Sequence, residues 1–159
     1  MGPQIRAQVR ERGANICEYC QLRQEDSPSA ALHIEHIIPK VHGGSDDLDN
    51  LALACVDCNL HKGTNPAGID PETNALTELF HPRRHKWNDH FEWQGIAPIC
   101  RTAIGRTTVR VLNMNSEDFN SLCDLQETKR MGAATGETEV TKELVPTLAR
   151  CAGRQDLCR

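Results

Sequence analysis

The sequence predicts a small α+β protein built around a structural metal site. Three observations carry this prediction: a length of 159 residues, two Cys-x-x-Cys pairs, and apolar residues spaced first as in a strand and later as in helices. Only 38% of the residues are hydrophobic and 4% are aromatic, which argues against a thick core. We therefore expect one compact domain, or one small domain with an appendage.

Length and charge exclude several classes of protein. No stretch approaches the ~18 apolar residues that a membrane-spanning helix needs. The first residues, MGPQIRAQVRERG, lack the apolar segment of a secretory signal. We expect no membrane partner and a cytoplasmic location, where a reducing environment suits eight cysteines. The net charge of −4 argues against a uniformly basic surface but leaves room for a local basic patch.

The cysteines give the strongest local signal. Cys17 and Cys20 form one pair, Cys55 and Cys58 form the other, and 34 residues separate the pairs. Two such pairs are typical of four thiolates around one tetrahedral zinc ion with a structural role. The alternative is two disulfides in a secreted domain. A disulfide within a Cys-x-x-Cys pair occurs mainly in redox enzymes, and no thioredoxin-like βαβ pattern surrounds these pairs. Zinc is therefore the prediction. The other cysteines share no such spacing and are expected to be buried or idle thiols: Cys100, Cys123, Cys151 and Cys158.

The first half of the chain alternates short elements and loops. Helical spacing with three arginines predicts a basic helix over 4–12. Alternating apolar residues predict a half-buried strand over 31–38, which Pro39 ends. A loop over 42–50 and a short apolar run then lead to the second cysteine pair, and a helix is predicted over 57–64.

The second half is predicted with fewer signals. Turn signals occupy 65–74, a strand is expected over 96–100, and Thr102 is expected to cap the helix that follows. Another helix is predicted over 116–130. We divide the chain into four parts: a basic N-terminal helix at 1–15, a zinc-knuckle core at 16–75, a small α/β extension at 76–130 and a loosely ordered tail at 131–159.

Charge is segregated between these parts. Residues 16–80 hold 11 acids and 3 bases, whereas residues 81–110 hold 6 bases and 2 acids. The first region is expected to bind metal and the second to contact phosphate. The residues assigned to nucleic-acid binding are Lys62, Arg83, Arg84 and Lys86.

The segment from the insert through the second cysteine pair reads HIEHIIPKVHGGSDDLDNLALACVDCNLHKG, from His33 to Gly63. Its acid–histidine pair, Gly-Gly loop, Asn-Leu step and Lys-Gly ending occur in a fixed order. With both cysteine pairs, residues 17–63 resemble the four-cysteine, zinc-stabilised form of the HNH endonuclease family. A softer resemblance links the stretch LFHPRRHKWNDHFEWQG to an extension of small bacterial HNH proteins.

The resemblance implies a treble-clef-like ββα-metal core, in which two strands and a helix hold one divalent ion against the scissile phosphate. His36 is then the general base, and Glu35 supplies a carboxylate to a catalytic Mg²⁺ or Mn²⁺. Asn50 ties down the loop and orients His36 through its amide. Asn59 or His61 completes the metal site, and His61 is the better ligand for a transition metal.

The resemblance further implies hydrolysis of DNA, most readily double-stranded DNA, to 5′-phosphate and 3′-hydroxyl ends. Cutting both strands would need a homodimer or two independent events. Two alternatives stay open. One is a non-catalytic zinc module that binds nucleic acid, which would have no need of His36. The other is a nuclease subunit whose target is set by a partner.

Overall fold

The computed structural model describes residues 2–27, 31–94 and 97–116. Within these ranges no helix is long and apolar enough to cross a membrane. The helix predicted over 116–130 lies outside the described residues apart from its first position, and the predicted tail over 131–159 lies outside them entirely. Three of the remaining cysteines also lie outside them: Cys123, Cys151 and Cys158.

Short helices alternate with antiparallel strand pairs along the described chain. The helices are α1 (Pro3–Arg12), α2 (Val56–Lys62), α3 (Trp87–His90) and α4 (Ala103–Val111). The strands are β1 (His33–His36), β2 (Leu51–Ala54), β3 (Ala67–Ile69), β4 (Leu76–Glu78), β5 (Phe91–Gln94) and β6 (Ala97–Cys100). β1 pairs with β2, β3 with β4 and β5 with β6, each pair antiparallel. The mixture of helices and small antiparallel sheets confirms the α+β prediction.

Helix α1 covers the first sheet. It spans the segment predicted as a basic helix, and Val9 is fully buried. Its arginines do not all face solvent. The Arg10 guanidinium donates to the Leu32 carbonyl at 2.7 Å, and that of Arg12 donates to the Leu48 and Leu51 carbonyls at 2.9 and 2.6 Å. Two arginines of this helix therefore donate hydrogen bonds to backbone carbonyls at or next to the ends of β1 and β2.

Strands β1 and β2 and helix α2 form a compact ββα unit. The register places His36 opposite Leu51 and Glu35 opposite Ala52. All four residues of β2 are buried, because this strand lies beneath α1 and beside the cysteine pairs. The chain passes from β2 through Cys55 directly into α2. This is the order that the family resemblance implies.

The second half packs on this unit. The β3–β4 hairpin crosses position 75, where the sequence-based division ends the core, and α4 packs against both of its strands. Gly68 is a place of close approach, since a Cβ atom there would lie 2.6 Å from Val111 Cγ2. Thr102 caps α4 as predicted, and its hydroxyl accepts from the Gly105 amide at 3.1 Å. The Trp87 indole donates to the Tyr19 carbonyl at 2.8 Å and joins this half to the first cysteine pair.

Candidate active site

Four buried cysteines form one cluster beside the ββα unit. The Sγ atoms of Cys17, Cys20, Cys55 and Cys58 all lie within 4.8 Å of one another. The Cys20 and Cys55 sulfurs are 3.7 Å apart. Four thiolates at ~2.3 Å from a tetrahedral zinc ion lie ~3.8 Å from each other, so the spacing fits zinc. Four sulfur ligands leave no open position, which suits a structural metal rather than a catalytic one.

Backbone geometry builds both halves of this cluster. Cys55 is the N-cap of α2, and its Sγ accepts from the Cys58 amide at 3.4 Å. In the first pair the turn continues through Gln21, whose φ of +61° lies in the left-handed region. The Glu18 carboxylate, inside this turn, accepts from the Leu53 amide at 2.9 Å and ties the turn to β2.

His36 ends β1 at the edge of the ββα unit and is half-buried. Its Nε2 lies 2.7 Å from Asp46 Oδ1, and the Lys40 ammonium lies 3.0 Å from the same oxygen. The hydrogen bond from His36, with that from Lys40, lowers the pKa of Asp46 to about 2. An ionised carboxylate can only accept, so His36 Nε2 is the donor in this hydrogen bond and Nδ1 takes no part in it.

Asn50 fastens the loop that carries these partners. Its Oδ1 accepts from the Ile38 amide at 2.9 Å, and its Nδ2 donates to the Ile38 and Ser45 carbonyls at 3.0 and 2.9 Å. The loop passes so close that a Cβ atom on Gly44 would lie 1.7 Å from the Ile38 carbonyl oxygen. Asn50 thus ties the loop to the residues that follow β1. Its amide bonds go to backbone atoms, however, and the side chain that contacts the His36 ring is Asp46.

Glu35 precedes His36 on β1 and lines the same groove as His36. Its carboxylate is buried, 2.9 Å from the Lys62 ammonium, and it also accepts from the Tyr19 hydroxyl. Burial raises the pKa of Glu35, and the attraction of Lys62 opposes that rise. Both carboxylate oxygens therefore have protein partners.

Lys62 requires a correction. Its side chain is 2% exposed, and its ammonium also donates to the His36 carbonyl at 2.9 Å. A phosphate cannot reach this group, so the prediction of Lys62 as a nucleic-acid contact is wrong. The residue instead joins the C-terminal turn of α2 to β1, directly behind His36.

A shallow groove of about 280 Å³ lies beside His36. Asn59 on α2 lines this groove with Lys40 and Val41. His61 is absent from its lining and exposed, and its Nδ1–H donates to the Asp57 carbonyl one turn earlier at 2.9 Å. Of the two alternatives for the third motif position, Asn59 is the one that shares a groove with His36.

The three basic residues predicted to contact nucleic acid lie in different settings. Arg83 is mostly buried and pairs with Glu18 of the first cysteine turn. Arg84 is exposed and pairs with Glu78 at 2.9 Å. Lys86 is exposed and lines a second groove. The cluster in the sequence is therefore not one surface patch.

The sequence interpretation assigned no role to Asp46, Lys40 or Tyr19. Asp46 was visible only as one of three acids in the 42–50 loop, and nothing in their spacing separates it from Asp47 or Asp49. Tyr19 lies between two cysteines, where a single aromatic residue gives no signal of a buried carboxylate partner. The contact of Asp46 with His36 spans 10 residues of the chain, and that of Tyr19 with Glu35 spans 16.

Comparison with known proteins agrees with this geometry. Residues 17–65 match the model of the HNH endonuclease family, a range that holds all four clustered cysteines and the groove beside His36. No curated protein and no solved structure matches the chain. HNH nuclease domains act on nucleic acids. Residues 17–65 are thus similar to the HNH endonuclease family, and they include four clustered cysteines whose spacing fits zinc.

Proposed function

We propose that this protein is a metal-dependent endonuclease that hydrolyses phosphodiester bonds of DNA, with His36 as the general base. The observation that carries the proposal is the pairing of the half-buried His36 ring with Asp46 beside a groove, within residues similar to a nuclease family. A strand histidine with only a structural role would not need an ionised partner at the rim of a groove.

The contacts of His36 suit proton transfer. Asp46 accepts the Nε2 proton at 2.7 Å, which leaves Nδ1 to take a proton from water. The imidazolium that forms is stabilised by the Asp46 carboxylate, which the hydrogen bonds from His36 and Lys40 keep ionised. The Lys62 bond to the His36 carbonyl and the Asn50 bonds to the loop hold this pair in place.

The residues of the groove fit a divalent ion only in part. Within the described ranges, the four cysteines are the sole cluster of three or more His, Cys, Asp or Glu ligand atoms. Mg²⁺ retains several waters and needs few protein ligands when a phosphate supplies others. We propose Asn59 as a ligand, because it lines the His36 groove. Glu35 could serve only after it leaves Lys62 and Tyr19. When bound, such an ion would neutralise charge on the phosphate and on the departing 3′ oxygen.

We propose duplex DNA as the substrate and one nick at a time as the product, with 5′-phosphate and 3′-hydroxyl ends. A homodimer, the other arrangement expected for double-strand cleavage, has no support in the described residues. The incomplete cation site favours a second candidate, a zinc module that binds nucleic acid without cutting it or a subunit that needs a partner to cut.

A plasmid assay separates these candidates. Supercoiled DNA is incubated with purified wild-type protein, with and without added Mg²⁺ or Mn²⁺, beside His36→Ala. We expect metal-dependent nicking, lowered at least about 100-fold in the variant. Asp47→Asn is the matched control, because this exposed acid next to Asp46 is not part of the proposed machinery. Equal activity in wild type and His36→Ala would contradict the proposal. DNA binding without cleavage under any metal would favour the zinc module.

Asn59→Ala and His61→Ala then test the third motif position. We expect the Asn59 substitution to raise the metal concentration needed for half-maximal nicking, whereas His61→Ala leaves it unchanged. The reverse pattern would return the role to His61.

A further inference from the structure

A second groove, of about 620 Å³, lies between the first cysteine turn and the segment around α3. Its volume is within the ~300–1,000 Å³ typical of ligand sites. Gln21 and Arg23 line it from the cysteine turn, and Lys86, Trp87 and Trp93 line it from the other side. None of its lining residues belongs to the groove beside His36, so it is a separate feature of the surface.

Both tryptophans of the chain line this groove. Their rings are stacked, with centroids 5.3 Å apart and planes inclined by 23°. Trp87 is anchored by its hydrogen bond to the Tyr19 carbonyl and by packing against Phe91, with ring centroids 5.0 Å apart. Trp93 is 39% exposed. The anchored Trp87 holds Trp93 in place, so the exposed face of the Trp93 indole is a rigid aromatic surface. The fold does not need this face to be buried.

The polar residues of the groove favour an anionic ligand. The Lys86 ammonium makes no ion pair within the part of the chain that the structure describes. Arg23 pairs with Glu25 at 3.3 Å, but both side chains are largely exposed, so this pair contributes little and can be exchanged. Asp89 is the one acid among the lining residues of this groove. Gln21 and Asn88 add amide groups that can donate and accept hydrogen bonds.

This combination matches the chemistry of an unpaired nucleotide. Aromatic side chains bind bases by stacking, and neighbouring cations follow the phosphates. A base in a duplex has both faces covered by its neighbours, so the tryptophan surface can be used only where the strand is open. An acidic peptide would satisfy the cations but leave the indole face without a flat partner.

We propose that this groove binds an unpaired base of single-stranded DNA, which stacks on Trp93 while adjacent phosphates pair with Lys86 and Arg23. The proposal rests on the proposed nuclease function and deepens it. The substrate would then be duplex DNA that carries an open segment, such as a flap, a gap or an extruded base.

Intrinsic fluorescence tests this directly, because both emitting tryptophans lie in the groove. Full-length His36→Ala protein, with its zinc and without added magnesium, is titrated with an oligothymidine strand. A strand of equal length with abasic sites is the matched ligand, because it has the same phosphates but no bases. We expect quenching by oligothymidine and binding at least about 5-fold weaker for the abasic strand, since stacking on one aromatic residue is worth that factor or more. Equal affinity for the two strands would overturn the proposal.

A variant keeps the test independent of the fluorescence signal. Trp93→Leu removes the indole but retains an apolar side chain, and binding is measured by anisotropy of a labelled oligothymidine. We expect affinity about 5- to 100-fold lower. Leu76→Ala is the matched control, because Leu76 is 76% exposed and lies outside the groove. Unchanged affinity in Trp93→Leu, or equally tight binding of an acidic peptide, would overturn the proposal.

Failure of the nuclease proposal can be told apart from failure of this one. If wild-type protein does not nick plasmid but oligothymidine still binds through Trp93, the groove stands and the catalytic function fails. If nicking depends on His36 while single strands bind without regard to their bases, the nuclease stands and the groove proposal fails.

Discussion

Asp46 is the charged partner of the His36 ring, so its substitution tests the proposed role of His36 directly. Asp46→Asn keeps the shape and a hydrogen-bonding oxygen but removes the anion that stabilises a protonated ring. We expect nicking to fall about 10- to 100-fold, as when the partner of a functional histidine is lost. Asp47→Asn should leave nicking unchanged, and wild-type nicking by Asp46→Asn would contradict this role.

The buried ion pair of Lys62 and Glu35 is expected to be important for stability. Lys62→Met leaves a buried carboxylate without its cation, which costs about 3–5 kcal/mol of unfolding free energy. Glu35→Gln combined with Lys62→Met should recover much of this loss, because no charge is then left alone. Denaturant titration of the three proteins at pH 7 measures both effects.

The pH dependence of Lys62→Met follows from the direction of the Glu35 shift. Burial raises the pKa of Glu35 in the folded protein, so the folded state binds this proton more readily than the unfolded state. The free energy of unfolding therefore falls as the pH rises through the folded-state pKa of Glu35. The difference in unfolding free energy between wild type and Lys62→Met should shrink as the pH is lowered from 7. If this difference grew as the pH fell, the unpaired Glu35 carboxylate would not be the cause of the lost stability.

Sequence reasoning found the chemical residues better than their partners. His36 and Asn50 lie in local patterns with fixed neighbours, and the structure places His36 at a groove and Asn50 in its loop. Lys62 is assigned to nucleic-acid binding together with other basic residues, and only the fold shows it buried against Glu35. The partner of a charged residue in another element cannot be read from the sequence around it.

At the scale of elements, the salt bridge between Asp70 and Arg106 joins the β3–β4 hairpin to α4. Both guanidinium–carboxylate contacts are short, 2.8 and 2.9 Å, and Asp70 is fully buried. Arg106→Gln should lower the melting temperature, whereas Arg110→Gln, an exposed arginine on the same helix, should leave it unchanged. Equal melting temperatures for the Arg106 variant and wild type would contradict the link.

The same bridge has a defined pH window. The hydrogen bonds from Arg106 hold the pKa of Asp70 well below its usual range of ~3.9. A depressed folded-state pKa contributes stability above the unfolded pKa, and that contribution is lost as pH falls below it. The melting difference between wild type and Arg106→Gln should therefore be full at pH 6 and narrow below pH ~3.9. If the difference in melting temperature stayed the same at acid pH, it would come from packing of the Arg106 side chain and not from the salt bridge.

Elements with strong local signals were predicted and short hairpins were not. The alternation before Pro39 and the Thr102 cap predict β1 and the start of α4 within a few residues of their observed bounds. The apolar run before Cys55 is visible in the sequence, and the structure shows that it forms β2. Strands β3 and β4 have three residues each, too few for a period of two to be recognised, and their turn signals dominated the interpretation. These strands exist because α4 packs on them, which is a tertiary cause.

At the scale of the whole molecule, zinc bound by the four clustered cysteines would decide whether the first half folds. Zinc contributes about 10–16 kcal/mol of apparent binding free energy in small zinc domains, as much as the ~5–15 kcal/mol that stabilises a typical domain. Here the four cysteines come from two turns next to β2, so loss of a bound zinc ion would free the strand on which α1 and β1 pack. Treatment with a strong chelator should therefore abolish cooperative thermal unfolding, followed by circular dichroism. Elemental analysis should find one zinc per chain before treatment, and added Zn²⁺ but not Mg²⁺ should restore the transition. A chelated protein that contains no zinc and melts as before would show that the thiols hold the fold without a metal.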